Sequence, residues 1–104
     1  MQANERMFQD QVMQIARMNG WQVFHASPHL VRPGEWRSDG QGFPDLLMAH
    51  PQRGVIAAEL KTDTGKLSPA QIVWRNALAP HMEWVLWRPK DLDAIAKRLG
   101  ANKC

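Results

Sequence analysis

Two stretches of the sequence decide the fold: Gly42-Phe43-Pro44-Asp45-Leu46-Leu47 and Val55-Ile56-Ala57-Ala58-Glu59-Leu60-Lys61. Side chains alternate between the two faces of a strand, so the second stretch predicts a strand with Glu59 and Lys61 on one face and Ile56, Ala58 and Leu60 on the other. A buried carboxylate without a partner costs several kcal/mol, and it survives inside proteins mainly when it is paired or bound to a metal. The charged face of this strand therefore indicates a functional site.

The turn at residues 50–54 predicts that these two stretches pair as an antiparallel hairpin. Since the first residues of one antiparallel strand oppose the last residues of its partner, we expect Asp45 near Glu59 and Lys61. Hard divalent cations prefer oxygen ligands, and Mg²⁺ is usually bound through one or two protein carboxylates. The pattern thus predicts a Mg²⁺ or Mn²⁺ site, and the reaction it favours is metal-assisted hydrolysis of a phosphodiester bond.

The rest of the chain predicts an α/β fold. Three strands, then a helical crossover to a fourth, favour a mixed central sheet of about four strands flanked by helices, in the order αβββαβα. Residues 28–42 show no periodicity and predict a long loop, either a solvated excursion or a flap that contacts substrate. The predicted elements are a helix from an Asn4 N-cap to about Gly20, strands 21–26, 44–49 and 55–61, a helix from a Ser68 N-cap to Pro80, a strand 83–87 and a helix that ends at Gly100.

Length and composition predict one domain over residues 1–104, without a membrane-spanning segment or a secretory signal. The net charge of +3 and pI of about 9.5 are compatible with a nucleic-acid partner and equally with simple solubility. A single cysteine, Cys104, suggests a reducing cytosol. Five Trp and no Tyr hint at a surface for self-association.

Several single residues have two interpretations. Glu5 either complements the positive N-terminus of its helix or reaches toward the charged strand face. Gln71 closes a capping box with Ser68, which is a sufficient role by itself. His25 is interpreted as a partly buried strand residue rather than a metal ligand. Candidates for phosphate contacts, each of which is also explained as a solvated surface residue, are Arg32, Arg37, Lys66, Arg75 and Arg88.

Pro44-Asp45 followed by Glu59-Leu60-Lys61 resembles the motif of the PD-(D/E)xK nuclease superfamily. The surrounding residues resemble its VRR-NUC branch more specifically, and the resemblance covers nearly the whole chain except residues 28–41. They are Glu5 with Gln9 in the first helix, Gly42-Phe43-Pro44-Asp45-Leu46, Glu59-Leu60-Lys61, Leu67-Ser68-Pro69-Ala70-Gln71 and Trp74 three residues later.

The resemblance implies a restriction-endonuclease-like core and a minimal nuclease domain of the kind found in bacteriophages and bacteria, acting in the cytoplasm of a bacterial or phage-infected cell. It implies a metal held by Asp45, Glu59 and the carbonyl of Leu60, with Lys61 as the catalytic lysine. Two further residues acquire implied roles, Glu5 as an accessory acid and Gln71 as a helix residue facing the site. A homodimer acting on branched DNA, such as a four-way (Holliday) junction, is also implied. The alternatives are a catalytically silent nucleic-acid-binding scaffold and a nuclease for other DNA or RNA structures.

Overall fold

In the described residues one helix is followed by five strands, and a helix, a sixth strand and two further helical segments complete the order. A computed structural model describes residues 3–25, 29–32, 35–37 and 41–100. The elements are α1 Ala3–Met18, β1 Gln22–His25, β2 His29–Arg32, β3 Glu35–Arg37, β4 Leu46–His50, β5 Gly54–Leu60, α2 Pro69–Leu78, β6 Glu83–Trp87, a 3₁₀ helix Pro89–Asp91 and α3 Leu92–Leu99.

A four-stranded mixed sheet in the order β1-β4-β5-β6 forms the centre of the fold. β4 pairs antiparallel with both β1 and β5, and the predicted hairpin places Leu46 opposite Ala58. β6 runs parallel to β5, since the chain returns through α2 between them. The predicted α/β class and the mixed sheet of four strands are therefore confirmed.

β5 is buried on both faces from Ile56 to Leu60. One face packs with β4, β6, α1 and α3 in a continuous apolar core, because the apolar side chains of both helices recur at helical spacing. On the other face Ala57 and Glu59 alternate with these core residues, and α2 approaches Glu59 from that side. The buried members of the core are Phe8, Val12, Ala16, Trp21, Leu46, Met48, Ile56, Ala58, Leu60, Trp87, Ile95 and Leu99.

Most predicted helix ends are confirmed. Ser68 caps α2 in a full capping box, and Gly100 ends α3 in the left-handed conformation with φ of 102°. The predicted N-cap at Asn4 is wrong, since α1 already includes Ala3, a strong helix former that lengthens the first turn.

The prediction of a loop over residues 28–42 is also wrong. β2 and β3 lie within it and pair antiparallel, with His29 opposite Arg37 and an irregular register between Leu30 and Arg32. Strands of four and three residues are too short for alternation to be recognised. The Pro33-Gly34 pair in the sequence between them is the turn signal that could have predicted the hairpin.

The tryptophans belong mainly to the fold itself. Trp21 and Trp87 lie in the core, and Trp74 and Trp84 are half-buried. The four tryptophans whose side chains are described therefore give no support to the predicted self-association surface. Cys104, on which the inference of a reducing compartment rested, lies outside the described residues. None of the helices in the described ranges combines the length and the apolar character needed to cross a membrane.

Candidate active site

Two carboxylates meet where β4 begins and β5 ends. Asp45 immediately precedes β4, and its Oδ2 accepts a hydrogen bond of 2.9 Å from the backbone N–H of Leu60. This side-chain contact occupies the N–H at the last residue of β5, where the ladder with β4 has stopped. It brings Asp45 beside Glu59, as the hairpin predicted.

Glu59 is almost completely buried, with 2% of its surface exposed. The pKa of its carboxyl is raised from 4.5 to about 8, chiefly by burial and then by the negative charge and hydrogen bonding of Asp45. Lys61 acts in the opposite direction, and Glu5 makes the smallest contribution among the groups that raise this pKa. The ionised form of Glu59 is therefore unfavourable unless a cation balances its charge.

Lys61 and Gln71 both contact the same oxygen of Glu59. The ammonium Nζ of Lys61 lies 3.9 Å from Glu59 Oε2, and the amide Nε2 of Gln71 donates to that oxygen at 2.9 Å. The amide oxygen of Gln71 accepts from the backbone N–H of Ser68 at 2.7 Å, which completes the capping box. The side chain of Gln71 therefore both caps the start of α2 and holds the carboxylate of Glu59.

The segment before Asp45 is clamped onto α2. Gly42 has φ of +86°, and a Cβ at this position would lie 2.5 Å from the backbone carbon of Ala70. Only glycine allows both the left-handed backbone and this close approach. Phe43 packs edge-on against Trp74 with ring centroids 4.9 Å apart, and the Trp74 indole N–H donates to the carbonyl of Gln41 at 3.1 Å. These contacts hold the chain where it enters the site.

Glu5 approaches from the opposite layer, in the first turn of α1. Together with Lys61 it lines a cavity of about 270 Å³ that continues along residues 62–64 and Pro89. Of the site residues predicted from sequence, Asp45, Glu59, Lys61 and Gln71 lie together. Glu5 lines the adjoining cavity, and its negative charge has a small effect on the pKa of Glu59.

The predicted phosphate contacts are scattered. Lys66 is exposed on the connection between β5 and α2, and Arg75 bonds to its neighbour Asn76. Arg88 donates a hydrogen bond of 2.6 Å to the carbonyl of Thr62, so it ties down the loop that follows Lys61. The side chains of Arg32 and Arg37 lie outside the described residues.

A contact between Gln9 and His25 was not predicted. Gln9 is buried on α1 one turn after Glu5, and its Nε2 lies 3.0 Å from a ring nitrogen of the exposed His25 at the end of β1. The amide oxygen of Gln9 is buried without a hydrogen-bond partner among the described residues. His25 was expected to be partly buried, and it is exposed because it occupies the last position of the edge strand β1.

The donor set fits a hard divalent cation. Within the described ranges no three His, Cys, Asp or Glu side chains cluster in a way that could hold a metal. The oxygen donors that this site offers are the carboxylates of Asp45 and Glu59. Leu60, between Glu59 and Lys61 in sequence, adds its backbone carbonyl oxygen. One or two carboxylates are the usual protein contribution to a Mg²⁺ site, and a cation would offset the repulsion between half-buried Asp45 and buried Glu59.

No protein-family model and no curated protein sequence matches the chain. A solved structure described as a VRR_NUC domain is similar to it, with a TM-score of 0.66 and 23% sequence identity. The match covers 89% of this chain and 94% of that chain. The protein therefore has the fold of a VRR_NUC domain, and the fold that the sequence resemblance implied is confirmed.

Proposed function

We propose that the protein is a divalent-metal-dependent DNA endonuclease that hydrolyses phosphodiester bonds. The observation that carries the proposal is the acidic pair, Asp45 and the almost fully buried Glu59, with the ammonium of Lys61 beside it. An apolar pair would stabilise this position at lower cost, since buried charges are penalised by desolvation. The similarity to a VRR_NUC domain supports a nuclease of the PD-(D/E)xK type.

In this proposal the carboxylates of Asp45 and Glu59 and the carbonyl oxygen of Leu60 would hold Mg²⁺ or Mn²⁺. The ion, when bound, supplies positive charge that polarises the phosphodiester group and the attacking water. Because burial and the charge of Asp45 raise the pKa of Glu59 to about 8, a proton competes with the cation for this carboxylate below that pH. Metal affinity is therefore expected to rise with pH.

The protein's own side chains orient the reacting groups. The Leu60 N–H fixes one oxygen of Asp45, and the Gln71 amide fixes one oxygen of Glu59. The Lys61 ammonium is placed to donate to the attacking water or to a phosphoryl oxygen that gains negative charge. Glu5, at the start of α1, serves as an accessory acid on the side of the site lined by the cavity.

We further propose that the substrate is branched DNA, cut as by a four-way-junction resolvase, and that the protein acts as a homodimer. Two symmetric cuts require two sites related by a twofold axis. An apolar groove on the sheet supports self-association. It is formed by Phe24, which is 61% exposed, with Leu47 opposite it and the neighbouring pair Ala49 and Val55. Exposed Lys66, on the loop before α2, and half-buried Arg75, on α2, stay proposed phosphate contacts. Arg32 and Arg37, in β2 and β3, stay proposed contacts as well.

The activity is tested with a panel of labelled nucleic acids: single-stranded DNA, duplex, flap, four-way junction and the corresponding RNAs, each with Mg²⁺, with Mn²⁺ and with EDTA. The informative variant is Asp45→Asn, since an Asn oxygen can still accept from the Leu60 N–H and the fold is preserved. Asp10→Asn, an exposed position on α1, is the matched control.

We expect metal-dependent cleavage by the wild type and the Asp10 variant, and none by the Asp45 variant. Paired symmetric cuts confined to the four-way junction support the resolvase proposal. Cuts in flaps or RNA contradict the proposed substrate but leave the proposed metal-dependent hydrolysis standing. Equal activity of Asp45→Asn contradicts the site, and binding without cleavage by the wild type favours the silent scaffold.

The oligomer is tested separately by light scattering of the wild type, Phe24→Glu and Val73→Glu. Val73 is 67% exposed on α2, outside the groove, and serves as the control. A dimer that only the Phe24 variant dissociates supports the sheet surface. A wild type that is monomeric at high concentration contradicts the dimer.

A further inference from the structure

The cavity beside the acidic pair has a chemistry that differs from that of a phosphate site. Its walls include the carboxylates of Glu5 and Asp63 and the amide of Asn4, all of which can accept hydrogen bonds. Apolar surface comes from Phe8 and Pro89. The two carboxylates outweigh the single positive charge of Lys61 in the lining, so the walls disfavour a second phosphate. Their oxygens suit the amino groups that adenine, cytosine and guanine carry at their edges.

The size of the cavity limits its occupant. Its volume of about 270 Å³ is just below the range of pockets for drug-sized ligands. It can receive one flat heterocycle, and it cannot receive a base pair. Lys61 lines it and also lies 3.9 Å from Glu59, so the cavity opens directly onto the proposed reaction centre.

We propose that this cavity receives one unstacked base of the DNA strand being cut, from a nucleotide next to the scissile phosphate. The inference rests on the proposed nuclease function and gives a reason for a preference for branched DNA. Enzymes that read a base in a pocket must take it out of the stack, and this costs least where the base is already unpaired. Unpaired or weakly paired nucleotides occur at branch points.

The loop that forms one wall is fixed in place. Arg88 donates to the carbonyl of Thr62, and the N–H of Gly65 donates to the Thr62 hydroxyl at 3.1 Å. Asp63, between these anchored residues, is exposed toward the cavity and free to be varied without disturbing the core. The wall is therefore a built feature of the connection between β5 and α2.

The test uses the full chain and forked DNA in which 2-aminopurine replaces one base at a time on either side of the cut. In EDTA, where no cleavage occurs, fluorescence reports whether that base leaves the stack on binding. Asn4→Trp fills the cavity, and Gln14→Trp places the same side chain at an exposed position further along α1 as the matched control.

We expect a fluorescence increase at one position next to the cut with the wild type and with Gln14→Trp, and its loss with Asn4→Trp. With Mg²⁺, a mismatch at that position is expected to speed cleavage of a duplex about tenfold or more. Asp63→Asn is expected to lower this gain.

Three results overturn the proposal. If the fork is cut with Mg²⁺ but no position near the cut responds, the base stays stacked and only the nuclease function stands. If Asn4→Trp responds like the wild type, the base is unstacked elsewhere. If neither cleavage nor a fluorescence response is found with any DNA, the cavity proposal and the proposed function fail together.

Discussion

Replacing Glu59 by Gln is expected to make the metal-free protein less sensitive to pH. In the folded state burial, and then the charge of Asp45, raise the pKa of the Glu59 carboxyl from 4.5 to about 8. In the unfolded chain the carboxyl ionises near its ordinary value. Between these two pKa values the folded state keeps a proton that the unfolded state has lost. The contribution of the protonated Glu59 to the free energy of unfolding is therefore full below pH 4.5, and it is lost as the pH rises from there through about 8.

The size of the effect follows from the same linkage. Each pH unit between the two pKa values lowers the free energy of unfolding by about 1.4 kcal/mol. From pH 5 to pH 7 this amounts to roughly 3 kcal/mol, a large fraction of the stability of a small domain. A Gln at this position is uncharged at every pH, and its amide oxygen can still accept from the Nε2 of Gln71.

The assay is urea unfolding in EDTA at pH 5, 6, 7 and 8, followed by tryptophan fluorescence. The wild type and Glu59→Gln are expected to be equally stable at pH 5, and the variant is expected to be more stable by roughly 3 kcal/mol at pH 7. Asp10→Asn, the exposed control, should follow the wild type. Mg²⁺ should then stabilise the wild type at pH 8, by about 2.7 kcal/mol at a hundredfold excess over its dissociation constant, and leave Glu59→Gln unchanged.

Parallel pH profiles for the wild type and Glu59→Gln would refute the reasoning. They would mean that Glu59 ionises in the folded protein as easily as in the unfolded chain, so that its burial carries no cost. Loss of cooperativity, seen as a change in the dependence on urea concentration, would instead show that Gln disturbs the packing at the end of β5.

Three further variants test other parts of the structure. Lys61→Met is expected to reduce metal-dependent cleavage by a hundredfold or more while DNA binding, measured by fluorescence anisotropy, persists; cleavage within a fewfold of the wild type contradicts its role. Gly42→Ala is expected to lower the free energy of unfolding by more than about 1 kcal/mol, because its Cβ meets the Ala70 backbone and φ is +86°; an unchanged urea midpoint contradicts this. Glu83→Gln breaks the exposed ion pair with Arg98 at 2.8 Å and is expected to cost less than about 1 kcal/mol in thermal unfolding; a larger loss would mean that the pair supports the core.

The sheet could be predicted because its signals are local. A strand that carries Glu59 among buried apolar residues, a turn before it and an apolar stretch that starts with Asp45 together define a hairpin and its register. The contact between the two acids then follows from antiparallel geometry alone. The capping box at Ser68 and the stop at Gly100 were predictable for the same reason, since each depends on residues at most one turn apart.

The cavity and the shape of the site could not be predicted in this way. Asn4 lies in α1, Asp63 follows β5 and Pro89 begins the 3₁₀ helix, and these residues become neighbours only through packing of α1 and α3 on the sheet. Nothing in the local pattern around any of them signals the contact. The hydrogen bond between Gln9 and His25 joins α1 to β1 and depends in the same way on the angle at which the helix crosses the sheet.

Gln71 shows why interpretations that compete in a sequence need not compete in a structure. A capping residue and a site residue were two explanations for one side chain, but an amide has an acceptor at one end and donors at the other. The acceptor receives the Ser68 N–H at 2.7 Å, and this bond turns a donor toward Glu59 at 2.9 Å. Replacing Gln71 by Ala would therefore remove both contacts together. Gln71→Glu keeps the oxygen that accepts from the Ser68 N–H, but it replaces the amide donor by a carboxylate oxygen that repels Glu59. This substitution therefore separates the two roles: the helix cap is retained and the contact with Glu59 is lost.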